Sequence, residues 1–397
     1  MLKFDFNTFM NVNGDNNYKD TIHVIREKLE KKETMLDWYD AETTISSREI
    51  EKITKVSNYI RKNAEVFLVI GIGGSYLGSK AIIDMFKPYF KKDKVEIIFA
   101  GFSLSSTYLK ELIDYIKDKE IIVNVISKSG TTLETSITFN AIYELMKEKY
   151  SKTALQKRII VTTDKKKGKL RELVNKQHFI SFKIPDNIGG RYSVFTPVGL
   201  LPIAVSNINI TRLLKGVKNG KKDIDRCFIY AIIRDILYKN GKKIESFTVY
   251  EPKLYYFTEW IKQLFGETQG KENKGLFPVS VVNSRDLHSL GQYYQQGDPI
   301  IFETVINIVN NKDIKVSNKS LNKINNIATI KVAEAHKNHT PSNIICIDYL
   351  NEENIGELMY FFMVSAAIGG YLLEVDPFNQ PGVEAYKKLL INGIKKI

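Results

Sequence analysis

From Val66 to Pro185 the chain alternates five short apolar, β-branched runs with four helical patterns, and this alternation constrains the fold of the 397 residues more than any other feature. The runs are Val66–Gly71, Val95–Ala100, Glu120–Ile126, Arg158–Thr163 and His178–Pro185. Between them, Leu77–Phe86, Thr107–Lys117, Thr131–Lys147 and Lys169–Asn175 carry apolar residues at helical spacing. Strict alternation of this kind predicts an α/β fold with a parallel, doubly wound sheet.

A second α/β block follows a connector at 191–223. Helices are expected over Ile224–Tyr238, Leu254–Phe265, Leu321–Ala335, Glu352–Leu373 and Val383–Ile391, and strands over Ser246–Tyr250, Leu276–Val282, Ile300–Ile308 and Ile344–Tyr349. Ahead of the first block, Tyr18–Lys32 has helical spacing, and Ser46 with Glu49 forms a capping box that opens another helix. Length alone argues for two cores. The expected domains are an N-terminal helical segment (1–63) packing on the second domain, a first α/β domain (64–190), the connector (191–223), a second α/β domain (224–375) and a C-terminal helix (376–397).

The formal net charge is +13, with lysines in every segment and no interleaved aromatic motif of the kind that reads nucleic acid. The excess reads as solvated faces that also steer small anions. Cys227 and Cys346 imply no disulfide framework. His336 and His339 form HxxH without a third ligand, so no metal and no cofactor are expected. The longest uncharged run, Leu358–Leu373, falls short of the ~20 residues of a membrane span and reads as a buried helix. The N-terminus, MLKFDFNTFM, lacks a secretory apolar core. These features predict a soluble, cytoplasmic protein that does not engage membranes.

Six stretches carry candidate chemistry. SKSGTTLET, 127–135, joins a strand to a helix and places Ser127, Ser129, Thr131, Thr132 and Thr135 beside Lys128 and Gly130. Free N–H groups and the dipole at a helix N-terminus favour an anion, and such a density of hydroxyls suits a phosphate. GIGGSYLG, 71–78, follows the first strand but fails the dinucleotide fingerprint at Tyr76, and the next strand ends without an acid for a ribose. Its glycines allow close backbone approach to a ligand. In DNIGGRYS, tandem glycines precede Arg191, a permanent cation suited to stabilising an oxyanion. QLFGETQGK sets Glu267 at the end of an apolar helix, where a carboxylate partly withdrawn from water can act as a base near neutrality. DLH holds His288, and FNQPGVEAYK places Gln380 and Lys387 about two helical turns apart, roughly on one face. Singly, each also fits an ordinary turn, cap or surface ion pair.

Taken in order, GIGGSYLG, SKSGTTLET, GGRYS, QLFGETQGK, DLH and FNQPGVEAYK resemble the glucose-6-phosphate isomerase (phosphoglucose isomerase) family over about Gly71 to Lys387. The resemblance implies a sugar-isomerase fold with two flavodoxin-like, doubly wound subdomains, parallel-type sheets flanked by helices, and a homodimer with sites at the interface. It implies reversible isomerisation of glucose 6-phosphate to fructose 6-phosphate through a cis-enediolate, in glycolysis and gluconeogenesis. Glu267 matches the catalytic base, Arg191 the cation that stabilises the intermediate, and Lys387 with His288 the groups that open the sugar ring, His288 reaching across from the other subunit. Ser127, Ser129, Thr132 and Thr135 match the phosphate cradle. Gly74, Ser75, Lys128, Gln263 and Gln380 match further substrate contacts. Two alternatives stand beside this reading: an isomerase that also takes mannose 6-phosphate, and a non-catalytic sugar-phosphate sensor of the same fold. A sensor would need the cradle but not Glu267, Arg191, His288 and Lys387 together.

Overall fold

The computed structural model describes residues 2–5, 18–32, 34–91 and 93–394; most of the decapeptide 1–10 lies outside them. β1 (Leu2–Asp5), α1 (Lys19–Glu30), the single turn α2 (Ala41–Thr44) and α3 (Ser47–Asn63) come first. The expected capping box opens α3, with Glu49 N donating to Ser46 Oγ at 3.2 Å. Then come β2 (Val66–Ile70), α4 (Leu77–Phe86), β3 (Glu96–Ala100), α5 (Ser106–Ile116), β4 (Ile121–Ile126), α6 (Leu133–Lys149), α7 (Lys152–Arg158), β5 (Ile159–Thr163), α8 (Lys169–Gln177) and β6 (Ile180–Lys183).

These five strands make a parallel sheet in the order β3-β2-β4-β5-β6. Alternate side chains enter opposite cores, as the pleat requires. Phe67, Val69, Ile122 and Ile126 join the helices α3 and α4, while Val66, Leu68, Ile70, Val123 and Val125 join α5 and α6. Burying each such side chain is worth about 1.5–3 kcal/mol. The chain leaves β2 for β3 on one side and then returns to β4 on the other. The crevice at the carboxyl ends of β2 and β4 is therefore the switch point where such sheets bind ligands.

The remaining elements are α9 (Pro197–Val205), α10 (Ile210–Lys221), α11 (Asp225–Lys239), β7 (Ile244–Val249), α12 (Tyr255–Gln269), β8 (Phe277–Val282), α13 (Leu287–Gln296), β9 (Ile301–Asn310), the hairpin β10 (Lys315–Val316) and β11 (Lys319–Ser320), α14 (Leu321–His336), β12 (Ser342–Tyr349), α15 (Glu352–Leu372) and α16 (Gly382–Ile394). The second sheet runs β1-β12-β9-β7-β8 and is parallel except for β1, which pairs antiparallel with β12 at the edge.

The stretch expected as a connector is mostly helical. Every residue of α9 is buried, so it has no polar face and no amphipathic signature, and Pro197 and Pro202 disguise it further. The N-terminal segment, expected against the second domain, touches both halves. Tyr18 OH donates to Asp235 Oδ2 at 2.6 Å beside the second sheet, while Lys52 Nζ donates to Ser181 O at 2.6 Å beside the first. α15 is the one described helix long and apolar enough to span a bilayer, yet 83% of its most apolar stretch is buried inside the protein. It belongs to a single hydrophobic core that takes in Phe67 from the first sheet and Phe247 from the second.

Candidate active site

The carboxyl end of β2 runs into the turn Gly73–Ser75, and the end of β6 leads to a matching turn, Gly190–Tyr192. The two turns touch. A Cβ on Gly74 would lie inside the carbonyl of Gly190, so only glycine lets these backbones meet. Ser193 Oγ sits between them, donating to Gly190 O at 2.7 Å and lying 3.5 Å from Gly74 O. On the other flank, Gly73 has φ +58° and its missing Cβ leaves room for Gln263 Nε2, 2.8 Å from where that Cβ would stand.

This packing delivers Arg191 to the end of α12. Arg191 is 2% exposed. Its Nε donates to Thr268 Oγ1 at 2.9 Å, its Nη1 to Glu267 Oε2 at 3.3 Å, and its Nη2 to the Pro377 carbonyl. The Glu267 carboxylate takes two more hydrogen bonds, from Gln263 Nε2 at 3.0 Å and from Gln380 Nε2. Its side chain is 32% exposed, so a ligand in the crevice can reach it. Behind Arg191, Tyr192 stacks on Trp38 at 4.4 Å and its hydroxyl lies 3.2 Å from Thr268 Oγ1. Burial pushes the Tyr192 phenol pKa up, so it stays neutral beside the guanidinium.

The hydroxyl cluster lies at the end of β4. Ser127 Oγ accepts from Gly130 N at 3.1 Å and lies 3.2 Å from Thr132 Oγ1. Ser129 Oγ accepts from Thr131 N at 3.2 Å and from Thr131 Oγ1 at 2.9 Å. Thr132 is the N-cap of α6, yet its side chain caps nothing, so the first N–H groups of the 17-residue helix stay available to an anion. Thr135 is buried and its hydroxyl has no partner among the described residues. The cluster adjoins the glycine turn, because a Cβ on Gly101 would stand 3.4 Å from both Gly71 N and Thr135 Cα. Lys128 Nζ reaches over to the carbonyl of Asp186 at 2.7 Å, tying the cluster to the loop that leads to Arg191.

Arg191, Gln263, Glu267 and Gln380 thus form one constellation, with Gly74 and Ser75 between it and the hydroxyls of Ser127, Ser129, Thr132 and Thr135. His288 and Lys387 stand apart. His288 is exposed on the first turn of α13, and Lys387 lies on the exposed helix α16, its Nζ 3.2 Å from Glu384 Oε1. The shared helical face expected for Gln380 and Lys387 is not formed, because Gln380 precedes Pro381 and α16 begins only at Gly382. Sequence reasoning missed Thr268, Lys271 and Trp38. Thr268 could have been found beside Glu267, but nothing near Trp38 marks it as a neighbour of Arg191.

Residues 47–276 match the family model for phosphoglucose isomerase. A glucose-6-phosphate isomerase from Clostridium tetani is 44% identical over 89% of this chain and 85% of its own length. The chain belongs to the phosphoglucose isomerase family. A second family relative, the glucose-6-phosphate isomerase of Fusobacterium nucleatum, is 44% identical over 94% of this chain and 90% of its own. Among solved structures, a hypothetical protein from Thermus thermophilus superposes with a TM-score of 0.90 at 24% identity, covering 99% of this chain and 100% of that one. A glucose-6-phosphate isomerase from Chlamydia trachomatis gives 0.79 at 20% identity, over 91% and 78%. At these identities the structures establish the sugar-isomerase fold alone, and the family assignment rests on the sequence relatives.

Proposed function

We propose that this phosphoglucose isomerase family member interconverts glucose 6-phosphate and fructose 6-phosphate, with Glu267 as the base. The observation that carries the reading is the Glu267 carboxylate, held by Arg191, Gln263 and Gln380 in the crevice beside the free N-terminus of α6. The sugar's phosphate sits on that N-terminus among Ser127, Ser129, Thr132 and Thr135, with Lys128 nearby. Thr135's unpartnered buried hydroxyl supports this placement, since such a group is costly unless a ligand satisfies it. Gly74, Ser75, Gln263 and Gln380 line the sugar between the two ends.

Glu267 takes the C2 proton of the opened glucose form and returns it to C1. Removing it leaves an enediolate whose charge develops on oxygen, and Arg191 is already fixed by Thr268 and the Pro377 carbonyl to meet it without reorganising. Ring opening needs a second acid–base pair, for which Lys387 and His288 are the candidates. Neither a sensor nor an isomerase that also takes mannose 6-phosphate is favoured by relatives named glucose-6-phosphate isomerase.

The proposed assembly is a homodimer with His288 supplied by the neighbour. α13, which carries His288, also exposes Leu290 and Tyr293, and α14 exposes Leu321, Ile324, Ile327 and Ile330 along one stripe. Exposed apolar side chains grouped on neighbouring helices fit a protein contact. In this reading the domains run 64–190 and 224–375, joined through 191–223, with 1–63 ahead and 376–397 carrying the last helix. The cytoplasm is the proposed location, since a doubly charged sugar phosphate does not cross an apolar bilayer unaided.

The direct test follows fructose 6-phosphate conversion, coupled to detection of glucose 6-phosphate. Glucose 6-phosphate deuterated at C2 is expected to lose part of its label to water during turnover, because a carboxylate holding the proton can exchange it before returning it. Complete retention under several conditions would instead indicate hydride transfer and remove Glu267 from its role.

The cradle has its own test. Thr132→Val removes one hydroxyl facing the anion and is expected to weaken sugar-phosphate binding by about 1.5–3 kcal/mol, the usual worth of a hydrogen bond to a charged group. Inorganic phosphate, a competitor for the same donors, should lose affinity in parallel. Unchanged Michaelis and inhibition constants would place the phosphate elsewhere.

A further inference from the structure

Between α15 and α16 the chain crosses the mouth of the site as a linker, Leu373 to Pro381, held by its carbonyl groups. Arg191 Nη2 donates to Pro377 O, Lys271 Nζ to Asp376 O, and Lys274 Nζ to Leu373 O at 3.0 Å. Asp376 Oδ1 accepts from Phe378 N at 2.8 Å, which fixes the turn itself. Two of the three cations come from the loop that immediately follows α12. There, Lys271 N donates to Gln269 O at 2.9 Å and Lys274 N to Lys271 O at 2.8 Å, so a tight turn aims both amines at the linker. On its other side the linker borders a cleft of about 860 Å³ shared with α1. Among the described residues, its grip therefore comes largely from the site side. The linker in turn delivers Gln380 to Glu267 and carries α16 with Lys387.

We propose that Lys271 is a positioning residue of the isomerase: by holding the Asp376 carbonyl it sets where the linker crosses the site, and hence where Gln380 and α16 stand relative to Glu267. The inference rests on the isomerase reading for its kinetic consequence, but the geometry of the grip is independent of it. Lys271 is not an ordinary surface lysine. Burial, and then the charge of Arg191, lower its pKa to about 8, while Asp376, Glu267 and Glu272 pull the other way. A flexible side chain could escape burial and Arg191 by swinging into water. Its retention here, charged below pH 8 and neutral above, makes the grip on the linker sensitive to mild alkali.

The experiment compares wild type, Lys271→Met and Lys271→Arg. Lys271→Met is expected to lower kcat on fructose 6-phosphate roughly 10- to 100-fold, the scale of a misplacement of about 1 Å in a site group, with KM changed far less because the phosphate cradle is untouched. Lys271→Arg, whose guanidinium stays charged, is expected to recover most of the rate and to move the alkaline decline of kcat upward by a unit or more. Amide hydrogen exchange supplies a readout that needs no activity. Residues 378–394 should exchange faster in Lys271→Met, while α6 behind the cradle stays as in wild type. A Lys271→Met enzyme with wild-type kcat, or with unchanged exchange over 378–394, overturns the proposal. Wild-type protein inactive on fructose 6-phosphate would overturn the isomerase reading, and exchange would still decide the grip.

Discussion

Glu267→Gln is expected to slow isomerisation by ~10²–10⁴-fold while leaving KM within a few-fold of wild type. The substitution is nearly isosteric. Its amide oxygen can still accept from Arg191 Nη1 or Gln263 Nε2, which stand 3.3 and 3.0 Å from the carboxylate oxygens. Arg191 keeps Thr268 and the Pro377 carbonyl, so the guanidinium is not left stranded in the core. What disappears is a group that can accept the C2 proton. In the proposed pose the phosphate end of the substrate is bound by different residues, at the start of α6, so affinity should persist. Steady-state kinetics on fructose 6-phosphate, with loss of label from C2-deuterated glucose 6-phosphate, measure both quantities. Turnover near wild type, or label loss at an undiminished rate, would remove Glu267 as the base.

The second large effect is a recovery. Glu267→Gln and His288→Ala should each be nearly inactive as pure dimers, yet subunits mixed after reversible dissociation should regain roughly a quarter of wild-type sites. The figure follows from two-fold symmetry: random reassociation makes about half the dimers hybrid, and each hybrid has one intact site and one doubly defective site. The structure gives this experiment its motive. Within one chain, His288 sits exposed on α13 among Leu290 and Tyr293, while Glu267 lies in the crevice on α12. In the proposed dimer a partner subunit covers those apolar residues and supplies His288 to the first subunit's site, which is what the mixing tests. If the hybrids form but their activity does not exceed that of the separate variants, both groups belong to one chain.

The first sheet was legible because its strands are apolar on both faces and its helices on one, so period and composition both change at every boundary. The elements that escaped lacked that contrast. α9 is buried all round and interrupted by proline, and β1 is four residues long with nothing around it to mark an edge strand. Local chemistry was legible too: the hydroxyl cluster, the glycine turns, Arg191 and Glu267 each stood out where the chain turns. Their meeting was not, because it depends on Gly74 lying against Gly190, which are 116 positions apart in sequence. Gln380 and Lys387 illustrate the limit. Their spacing suggested one face of a helix, but Pro381 puts the helix start between them, and only Gln380 turns in to Glu267.

The core described above, in which α15 shares one apolar interior with Phe67 of the first sheet and Phe247 of the second, bears on how the molecule comes into being. During synthesis the first sheet is complete some 170 residues before α15 begins, and α10, which packs mainly on α15, meets a partner not yet made. Until Glu352–Leu372 leaves the ribosome, the nascent chain holds a half-formed interior whose greasy surface has no cover of its own. The face of the first sheet that packs on α5 and α6 is complete by Phe179, but the opposite face shares its interior with α15. A chain interrupted before Glu352–Leu372 would leave α10, α11 and α12 without the helix on which all three pack.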